Sequence, residues 1–355
     1  MKKLFQLLFF SLCTHALLFA QVQGDTTLVV AENQEAEMAF NKGIENYNNK
    51  LYQDAINNFT EAISYKADFA KAYYNRGSVK AELKMFQDAV TDFDATLKYD
   101  STMLIAYFSR ARVKQQTTDN QGATQDYTKA IEKGLKDTKT FYYRGMLRFL
   151  ADDFQGAVDD YTNALQIDPR NTLAYNDRGS AYRKLEKYDE SIADYKKAIM
   201  LDPNLDFAYN NLGSVLRRKD KFDEAIDAYT QAIKIKSEKN KSDYVIAYNN
   251  RGSAKYEKKD YNGAMEDFKK AISLKNDYLA AYNNLASVKI KLKDFKGAIE
   301  DYNNILQKDA KYGYAYLNRG IAKEELRMTN EACEDWKKAN ELGVKAATNF
   351  LSECN

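Results

Sequence analysis

The sequence predicts an all-α protein, an α-solenoid (superhelix) of nine stacked antiparallel helix hairpins with a short C-terminal capping helix. Three observations predict this fold class. A small residue recurs at intervals of 34 residues, with one interval of 39. Alanine and aromatic residues follow it at spacings that place them on one face of a second helix. The 355 residues include only two prolines and 15 glycines, which favours helices over a turn-rich sheet protein.

The small residue marks the first helix, helix A, of each hairpin. Its positions are Gly43, Gly77, Ala111, Gly145, Gly179, Gly213, Gly252, Ala286 and Gly320. Twelve residues later stands alanine, or serine in one hairpin, and four residues further an aromatic residue of the second helix, helix B. A small residue opposite an alanine lets the two backbones approach closely, and the aromatic ring fills the groove beside them. A single hairpin cannot bury its outer apolar stripe, so successive hairpins are expected to stack.

The hairpins are predicted to begin near residues 36, 70, 104, 138, 172, 206, 245, 279 and 313. The interval of 39 adds five residues within the polar segment 237–243, which we interpret as a longer turn after the sixth hairpin that leaves the stack intact. Residues 344–355 are expected to form the capping helix.

The period and the order of these residues resemble the tetratricopeptide repeat family over residues 36–346. Pro169 and Pro203 stand at the family's proline position, just past helix B, where proline cannot continue a helix. Tyrosine or phenylalanine, as at Tyr73, replaces the family's tryptophan at the fourth position. The resemblance implies a right-handed superhelix that holds proteins or peptides in a concave groove lined by the A helices.

The N-terminus has the pattern of a secretion signal. Lys2 and Lys3 precede an apolar run over residues 4–20 and then a polar stretch. We predict a signal peptide over residues 1–24, with cleavage after Ala20 or Gly24, and a flexible leader over residues 25–35. An uncleaved anchor is the alternative, although the run is shorter than the roughly 20 residues of a membrane span. The expected location of this exported protein is the periplasm or cell envelope.

Composition argues against several functions. Loss of Lys2 and Lys3 would bring the 53 basic residues level with the 51 acidic residues, and this balance disfavours nucleic acid as a partner. Cleavage would also remove His15, the sole histidine, and with it any imidazole for catalysis or metal ligation. The sequence contains no glycine-rich phosphate loop, metal-ligand cluster or nucleophile–base pair. We therefore expect no catalysis, no metal and no small-molecule cofactor.

Asparagine recurs two residues before the small residue of helix A. It is found at Asn41, Asn75, Asn211, Asn250, Asn284 and Asn318. Asparagine costs roughly 0.5 kcal/mol relative to alanine within a helix, and its amide can bond the backbone of an extended peptide. The pattern resembles the asparagine ladder of the tetratricopeptide domain of O-linked N-acetylglucosamine transferase. This resemblance implies a peptide-binding groove, and recent duplication of one repeat is the alternative explanation.

Arginine often stands just before the small residue, with aspartate 16 residues after the arginine. The pairs are Arg76–Asp92, Arg110–Asp126, Arg144–Asp160, Arg178–Asp194, Arg251–Asp267 and Arg319–Asp335. The sixth hairpin carries Leu212 and Ala228 instead, so both partners disappear together. We predict bidentate, half-buried bridges within each hairpin. A ladder of arginines for ligand binding is the alternative.

A basic cluster is expected late in helix A of the fifth and sixth hairpins. Its members are Arg183, Lys184, Arg217, Arg218 and Lys219. The cluster is either a contact for an anion or acidic peptide or a solvated helix surface. The family's clamp for acidic C-terminal tails needs a lysine just before the asparagine position. Other residues, such as Phe40 and Asn210, stand there, so this clamp is not expected.

Two cysteines are expected to meet at the C-terminus. Cys333 occupies an apolar position of helix B, and Cys354 continues an apolar stripe of the capping segment. Folding that segment back about Gly343 places the two cysteines opposite one another. Because an exported protein meets an oxidising compartment, a disulfide is predicted, with two buried thiols as the alternative.

The sequence therefore predicts a non-catalytic scaffold, an adaptor that holds an extended segment of a partner protein or peptide in the groove. The alternative is a structural subunit of a cell-envelope complex, bound through its convex face or its ends. No nucleic-acid partner is expected, and membrane contact is expected only through an uncleaved signal peptide.

Overall fold

The computed structural model describes residues 34–238, 244–352 and 354. These residues contain 19 α-helices, one short 3₁₀ helix and no β-strand. The fold is an all-α solenoid of stacked helix hairpins, as the sequence predicts. The hairpins are α1(Gln34–Asn48)/α2(Tyr52–Tyr65), α3(Ala70–Glu82)/α4(Phe86–Tyr99), α5(Leu104–Gln116)/α6(Asn120–Glu132), α7(Thr138–Leu150)/α8(Phe154–Ile167), α9(Thr172–Lys184)/α10(Tyr188–Leu201), α11(Asp206–Arg218)/α12(Phe222–Glu238), α13(Val245–Glu257)/α14(Tyr261–Leu274), α15(Leu279–Lys291)/α16(Phe295–Lys308) and α17(Gly313–Glu325)/α18(Thr329–Glu341).

The chain divides into two compact units, Met1–Pro169 and Arg170–Asn355. The described part of the N-terminal unit holds the first four hairpins, and that of the C-terminal unit holds the other five and the C-terminal segment. Within each unit, helix B of a hairpin packs against its own helix A and against helix A of the next hairpin. This stacking buries the aromatic residues of helix B, among them Phe93 and Tyr229, both 0% exposed.

Helices A and B of a hairpin approach closely at the small residue of helix A. A Cβ atom added to Gly77 would lie 3.2 Å from both the backbone oxygen of Ala89 and the ring of Phe93. At Gly252 the nearest atom would be in the ring of Phe268, 2.7 Å away. A larger side chain would force the two helices apart, which explains why this position is glycine or alanine in every hairpin.

The turn between helix A and helix B contains one non-glycine residue with left-handed backbone. The nine residues are Lys50, Lys84, Thr118, Asp152, Glu186, Asp220, Lys259, Lys293 and Arg327. Four of the helices that follow begin with an aspartate cap; for example, Asp119 Oδ1 accepts a hydrogen bond from Gly122 N at 2.9 Å. A Cβ atom on Gly122 would meet this carboxylate, so the cap requires glycine there.

Two helix boundaries differ from the predicted ones. Helix α1 begins at Gln34, within the predicted leader, because Glu35 and Glu37 in its first turn favour the positive end of the helix dipole. Helix α12 has 17 residues, where most B helices have 14, and it includes Ser237 and Glu238 of the predicted turn. No proline or glycine interrupts the sequence there, so the helix continues.

The C-terminal segment is not one helix over residues 344–355. It consists of a 3₁₀ turn, Lys345–Ala347, and a short helix α19(Thr348–Leu351). Gly343, with φ +84°, ends helix α18 and redirects the chain. The 3₁₀ turn lets Val344 and Ala347 both face the last hairpin, where they are buried.

The predicted signal peptide and the leader as far as residue 33 lie outside the described residues. In the described part of the chain, no helix combines the length and the apolar character that a membrane crossing requires.

Candidate peptide-binding groove

In the C-terminal unit, one face of helix A carries polar side chains in four successive hairpins, and all are amides or hydroxyls except the carboxylate of Asp177. The first position holds Asn176, Asn210, Asn249 and Asn283, the second holds Asp177, Asn211, Asn250 and Asn284, and a serine stands four residues after the first, at Ser180, Ser214, Ser253 and Ser287. Residues four apart lie one above the other on a helix. We call these residues, with Asn318 of the ninth hairpin, the polar stripe.

Hydrogen bonds join the polar stripe from one hairpin to the next. The amide of an asparagine at the second position donates to Oδ1 of the asparagine at the first position of the preceding hairpin. The bonds are Asn211 Nδ2–Asn176 Oδ1 (3.0 Å), Asn250 Nδ2–Asn210 Oδ1 (3.1 Å), Asn284 Nδ2–Asn249 Oδ1 (3.0 Å) and Asn318 Nδ2–Asn283 Oδ1 (3.3 Å). Among the described residues, these bonds leave Nδ2 of Asn210, Asn249 and Asn283, and Oδ1 of the donating asparagines, without an intramolecular partner.

The serines of the stripe bond to the helix backbone, and two of them, Ser180 and Ser214, also contact the hydroxyls of buried tyrosines. Each serine donates to the backbone oxygen of the first-position asparagine, as Ser214 Oγ does to Asn210 O at 2.9 Å. Tyr229 OH donates to Ser214 Oγ at 3.2 Å. Burial raises the pKa of Tyr229, and its hydrogen bond to the serine and the nearby charge of Arg217 oppose that rise. Tyr195 and Tyr229 of helix B therefore form a floor beneath the stripe at Ser180 and Ser214.

Two of the six predicted groove asparagines lie in the N-terminal unit and do not join a ladder. Asn75 Nδ2 donates to Lys71 O of its own helix at 2.9 Å, and Asn41 is exposed. The reason is the residue at the first position. Phe40, the counterpart of Asn176, offers Asn75 no amide oxygen.

The corresponding face of the N-terminal unit is aromatic instead. The rings of Phe108 and Tyr143, at the first and second positions of successive hairpins, have centroids 6.1 Å apart. The Arg112 guanidinium, at the serine position, lies 4.0 Å from the centroid of the Tyr143 ring, a cation–π contact. This face therefore offers apolar and cationic contacts, while the polar stripe offers amides.

All six predicted arginine–aspartate pairs form within their hairpins. Nε and Nη2 of the guanidinium donate to the two carboxylate oxygens, as Arg144 does to Asp160 at 2.9 and 2.7 Å. The other five pairs have the same geometry. Arg319 Nη1 also reaches Asn303 Oδ1 of the preceding hairpin at 2.6 Å. These contacts confirm the prediction of bidentate bridges, which couple helices rather than bind a ligand.

A second cation, four residues after the arginine, contacts the same carboxylate in five hairpins. The pairs are Lys80–Asp92 (2.8 Å), Lys114–Asp126 (2.9 Å), Arg148–Asp160 (3.0 Å), Lys255–Asp267 (2.9 Å) and Lys323–Asp335 (2.8 Å). Sequence reasoning missed this cation. The sixth hairpin replaces all three charges by Leu212, Leu216 and Ala228, which are buried. In the sixth hairpin the three charges are therefore replaced together.

Replacing Leu285 by arginine should complete the cluster of the eighth hairpin. Burial raises the pKa of Asp301, and Lys289, whose Nζ lies 2.6 Å from Asp301 Oδ2, opposes that rise. An arginine at position 285 would donate to the same carboxylate, as arginine does in six other hairpins. We expect L285R to raise the free energy of unfolding by about 1 kcal/mol, measured by urea unfolding at pH 7.

The matched control is L212R, at the same position of the sixth hairpin, where Ala228 offers no carboxylate. The unpaired charge should lower the free energy of unfolding by about 3 kcal/mol. The gain in L285R requires ionised Asp301, because the added arginine lowers the folded-state pKa of that carboxyl. The gain is therefore present at neutral pH and is lost as the pH falls through that lowered pKa. Equal destabilisation of both variants would contradict the role of the cluster.

The structure places the basic residues of the fifth and sixth hairpins in different surroundings. Two of them form ion pairs, Arg217 Nη1–Glu257 Oε1 and Lys219 Nζ–Asp189 Oδ1, both at 2.5 Å. Arg183 is partly buried, whereas Lys184 and Arg218 are exposed. The Nε atoms of Arg183 and Arg217 are buried and have no hydrogen-bond partner among the described residues.

The C-terminal segment is joined to the last hairpin by a disulfide. Cys333 and Cys354 form the bond, with Cα atoms 5.6 Å apart. The ring of Phe350 stacks on Trp336 with centroids 5.0 Å apart. The segment therefore covers the apolar face of the ninth hairpin.

Comparison with protein families identifies the repeat. Residues 179–220 match a model described as TPR repeat, and residues 205–277 and 279–311 match two models described as tetratricopeptide repeat. No curated protein matches the chain.

Solved structures show the same fold at low sequence identity. The C-terminal part of a TPR repeat-containing protein from Cytophaga hutchinsonii has a TM-score of 0.58 at 16% identity, with 69% of this chain and 99% of that chain covered. The APC/C hetero-tetramer Cut9–Hcn1 gives a TM-score of 0.54 at 14% identity, covering 93% and 78%. A tetratricopeptide repeat protein from Parabacteroides merdae gives 0.50 at 17% identity, covering 72% and 99%.

Proposed function

We propose that this chain, which is a tetratricopeptide repeat protein, is a non-catalytic scaffold that holds an extended peptide segment of a partner protein against the polar stripe. The family supports a role in protein interaction. The finer assignment, to the A helices of the C-terminal unit, depends on the asparagine ladder.

The observation that carries this proposal is the set of four asparagine–asparagine hydrogen bonds. Each bond fixes two side-chain amides, so their rotamers are ordered before a ligand arrives. The ladder retains unpaired amide donors at Asn210, Asn249 and Asn283 and unpaired oxygens on its donating asparagines. An extended peptide presents backbone N–H and C=O groups that need such partners when water is excluded. Main-chain recognition of this kind tolerates many peptide sequences.

The protein is further proposed to act in the periplasm or cell envelope. The charged and apolar pattern of residues 1–24 supports export, and the disulfide between Cys333 and Cys354 suits an oxidising compartment. Mass spectrometry of the N-terminal peptide from cell fractions tests this location. A mature N-terminus after residue 20 or 24 supports it, and an intact N-terminus in a cytoplasmic fraction contradicts it.

The test of the groove is selection of random dodecapeptides displayed on phage, followed by fluorescence polarisation with the selected peptides. Changing Asn211, Asn250, Asn284 and Asn318 to alanine should weaken binding at least tenfold, a loss of about 1.4 kcal/mol. The free energy of unfolding should change little. Each alanine stabilises the helix by roughly 0.5 kcal/mol relative to asparagine, which offsets much of the loss of the hydrogen bonds.

The matched control is the N41A/N75A variant, which removes asparagines that do not join the ladder. It should bind the selected peptides as the wild type does. If the wild-type chain selects no peptides, or if both variants bind equally well, the groove proposal is wrong. Loss of partner capture only when the convex face or the end hairpins are changed would favour a structural subunit of an envelope complex.

A further inference from the structure

We infer that Arg183 and Arg218 form a binding site for one acidic side chain of the held peptide. This inference rests on the proposed function and adds a chemical preference to it. The polar stripe recognises backbone, whereas this arginine pair would select an aspartate or glutamate at one position of the bound segment.

Arg183 lies on the same helix face as the polar stripe. It stands seven residues after Asn176 and three after Ser180, spacings that place all three on one face of α9. Ser180 Oγ lies 3.0 Å from the hydroxyl of Tyr195. The Nε atom of Arg183 is buried. Burial also raises the pKa of Tyr195, and the charge of Arg183 opposes that rise.

Two contacts elsewhere show which residues meet at this level of successive hairpins. In each contact, the first residue stands four positions after the small residue of its own helix A. Its partner stands five positions after the small residue of helix A in the next hairpin. In the first hairpin, Tyr47 OH donates to Glu82 Oε2 at 3.1 Å. In the sixth, Arg217 Nη1 pairs with Glu257 Oε1 at 2.5 Å. In both places a glutamate supplies the carboxylate.

The fifth hairpin has no such carboxylate. The residue equivalent to Glu82 and Glu257 is Arg218, so the register places a second arginine opposite Arg183, where a glutamate stands in the other two contacts. Among the described residues, neither Arg183 nor Arg218 forms an ion pair, and the buried Nε of Arg183 has no partner. Two guanidinium groups facing the same space repel each other until an anion lies between them.

The occupant that fits is a carboxylate on a peptide. A guanidinium matches a carboxylate bidentately, and Glu257 shows that the neighbouring arginine of the same face binds one. The polar stripe runs along the same face, with Ser180 three residues and Asn176 seven residues before Arg183 on α9, and its amides suit a peptide backbone. Two arginines do not make the long basic stripe that a nucleic acid requires.

The experiment uses the same random dodecapeptide library on the full chain. For the wild type, we expect aspartate or glutamate at one position of the selected peptides, enriched at least threefold over the library. The variant R218E places a glutamate where one contacts Tyr47 and Arg217 in the other two places. Its carboxylate should pair with Arg183, occupy the site and abolish the enrichment. A selected peptide should bind R218E at least tenfold more weakly, while its Glu→Gln form should bind both chains alike.

The reciprocal variant E257R should create a second arginine pair, with Arg217, and add a second acidic preference. R218Q, which removes the charge without adding a carboxylate, separates site loss from site filling, and circular dichroism checks that each variant folds. Peptides selected without acidic enrichment would overturn this inference and leave the proposed function standing. Failure of the wild type to select any peptide would overturn both.

Discussion

Replacing Asp267 by alanine should lower the free energy of unfolding by about 3–5 kcal/mol. The carboxylate is 3% exposed and receives Arg251 Nε at 2.8 Å and Nη2 at 2.6 Å, with Lys255 Nζ at 2.9 Å from Oδ2. D267A leaves two cations with side chains only 17% exposed and no counter-charge. Urea unfolding followed by circular dichroism measures the loss.

The matched comparison is the triple variant R251L/K255L/D267A, which copies the sixth hairpin. There, Leu212, Leu216 and Ala228 occupy the three positions and are 7%, 2% and 6% exposed. Burying charges costs desolvation energy, and a buried ionic cluster is often no more stable than apolar residues of similar volume. We therefore expect the triple variant to lie within about 1 kcal/mol of the wild type.

The two variants together distinguish pairing from packing. If the cluster acts through compensation of buried charge, the single change is harmful and the triple change restores most of the loss. A triple variant as unstable as D267A would mean that packing around the cluster, rather than charge compensation, determines stability. The same pair of measurements also tests whether one hairpin can take the apolar cluster of another in place of its charged cluster. Such exchange is expected for modules that contact only their neighbours.

The arginine–aspartate bridges could be predicted because their residues vary together. Leu212 and Ala228 depart from the pattern in the same hairpin, which indicates contact without any knowledge of coordinates. The second cation could not be found in this way. A lysine such as Lys255 late in a helix is ordinary on a solvated surface, and only the packed geometry shows that its Nζ turns back to the buried carboxylate.

The sequence predicts the donors of the asparagine ladder but not their acceptors. Their recurrence predicts the donating asparagines, but the acceptors, such as Asn210, stand at positions where the sequence indicates only the absence of a clamp lysine. Donor and acceptor are 35 residues apart in three of the four bonds, one more than the period. That offset depends on how one hairpin shifts against the next, which a repeat period alone does not determine. Similarly, Asn75 fails to join because its neighbour hairpin offers Phe40.

Loss of the disulfide should destabilise the C-terminal cap by about 3 kcal/mol in the chain-entropy model. The bond closes a loop with a sequence separation of 21. Without it, the covering segment depends on a three-residue 3₁₀ turn and a four-residue helix, which are too short to be stable alone. The segment shields Trp336, which is 1% exposed beneath Phe350.

The single tryptophan of the chain makes this prediction directly measurable. In C354S, or in the wild type treated with dithiothreitol, we expect a red shift of tryptophan fluorescence and easier acrylamide quenching at urea concentrations that leave the helical circular dichroism unchanged. The change should be confined to the ninth hairpin, because each hairpin packs only on its neighbours. The double variant C333S/C354S should match the reduced wild type, which separates loss of the bond from an unpaired thiol. Identical fluorescence and quenching in the oxidised and reduced chains would show that packing of Phe350 on Trp336 holds the cap without the covalent bond.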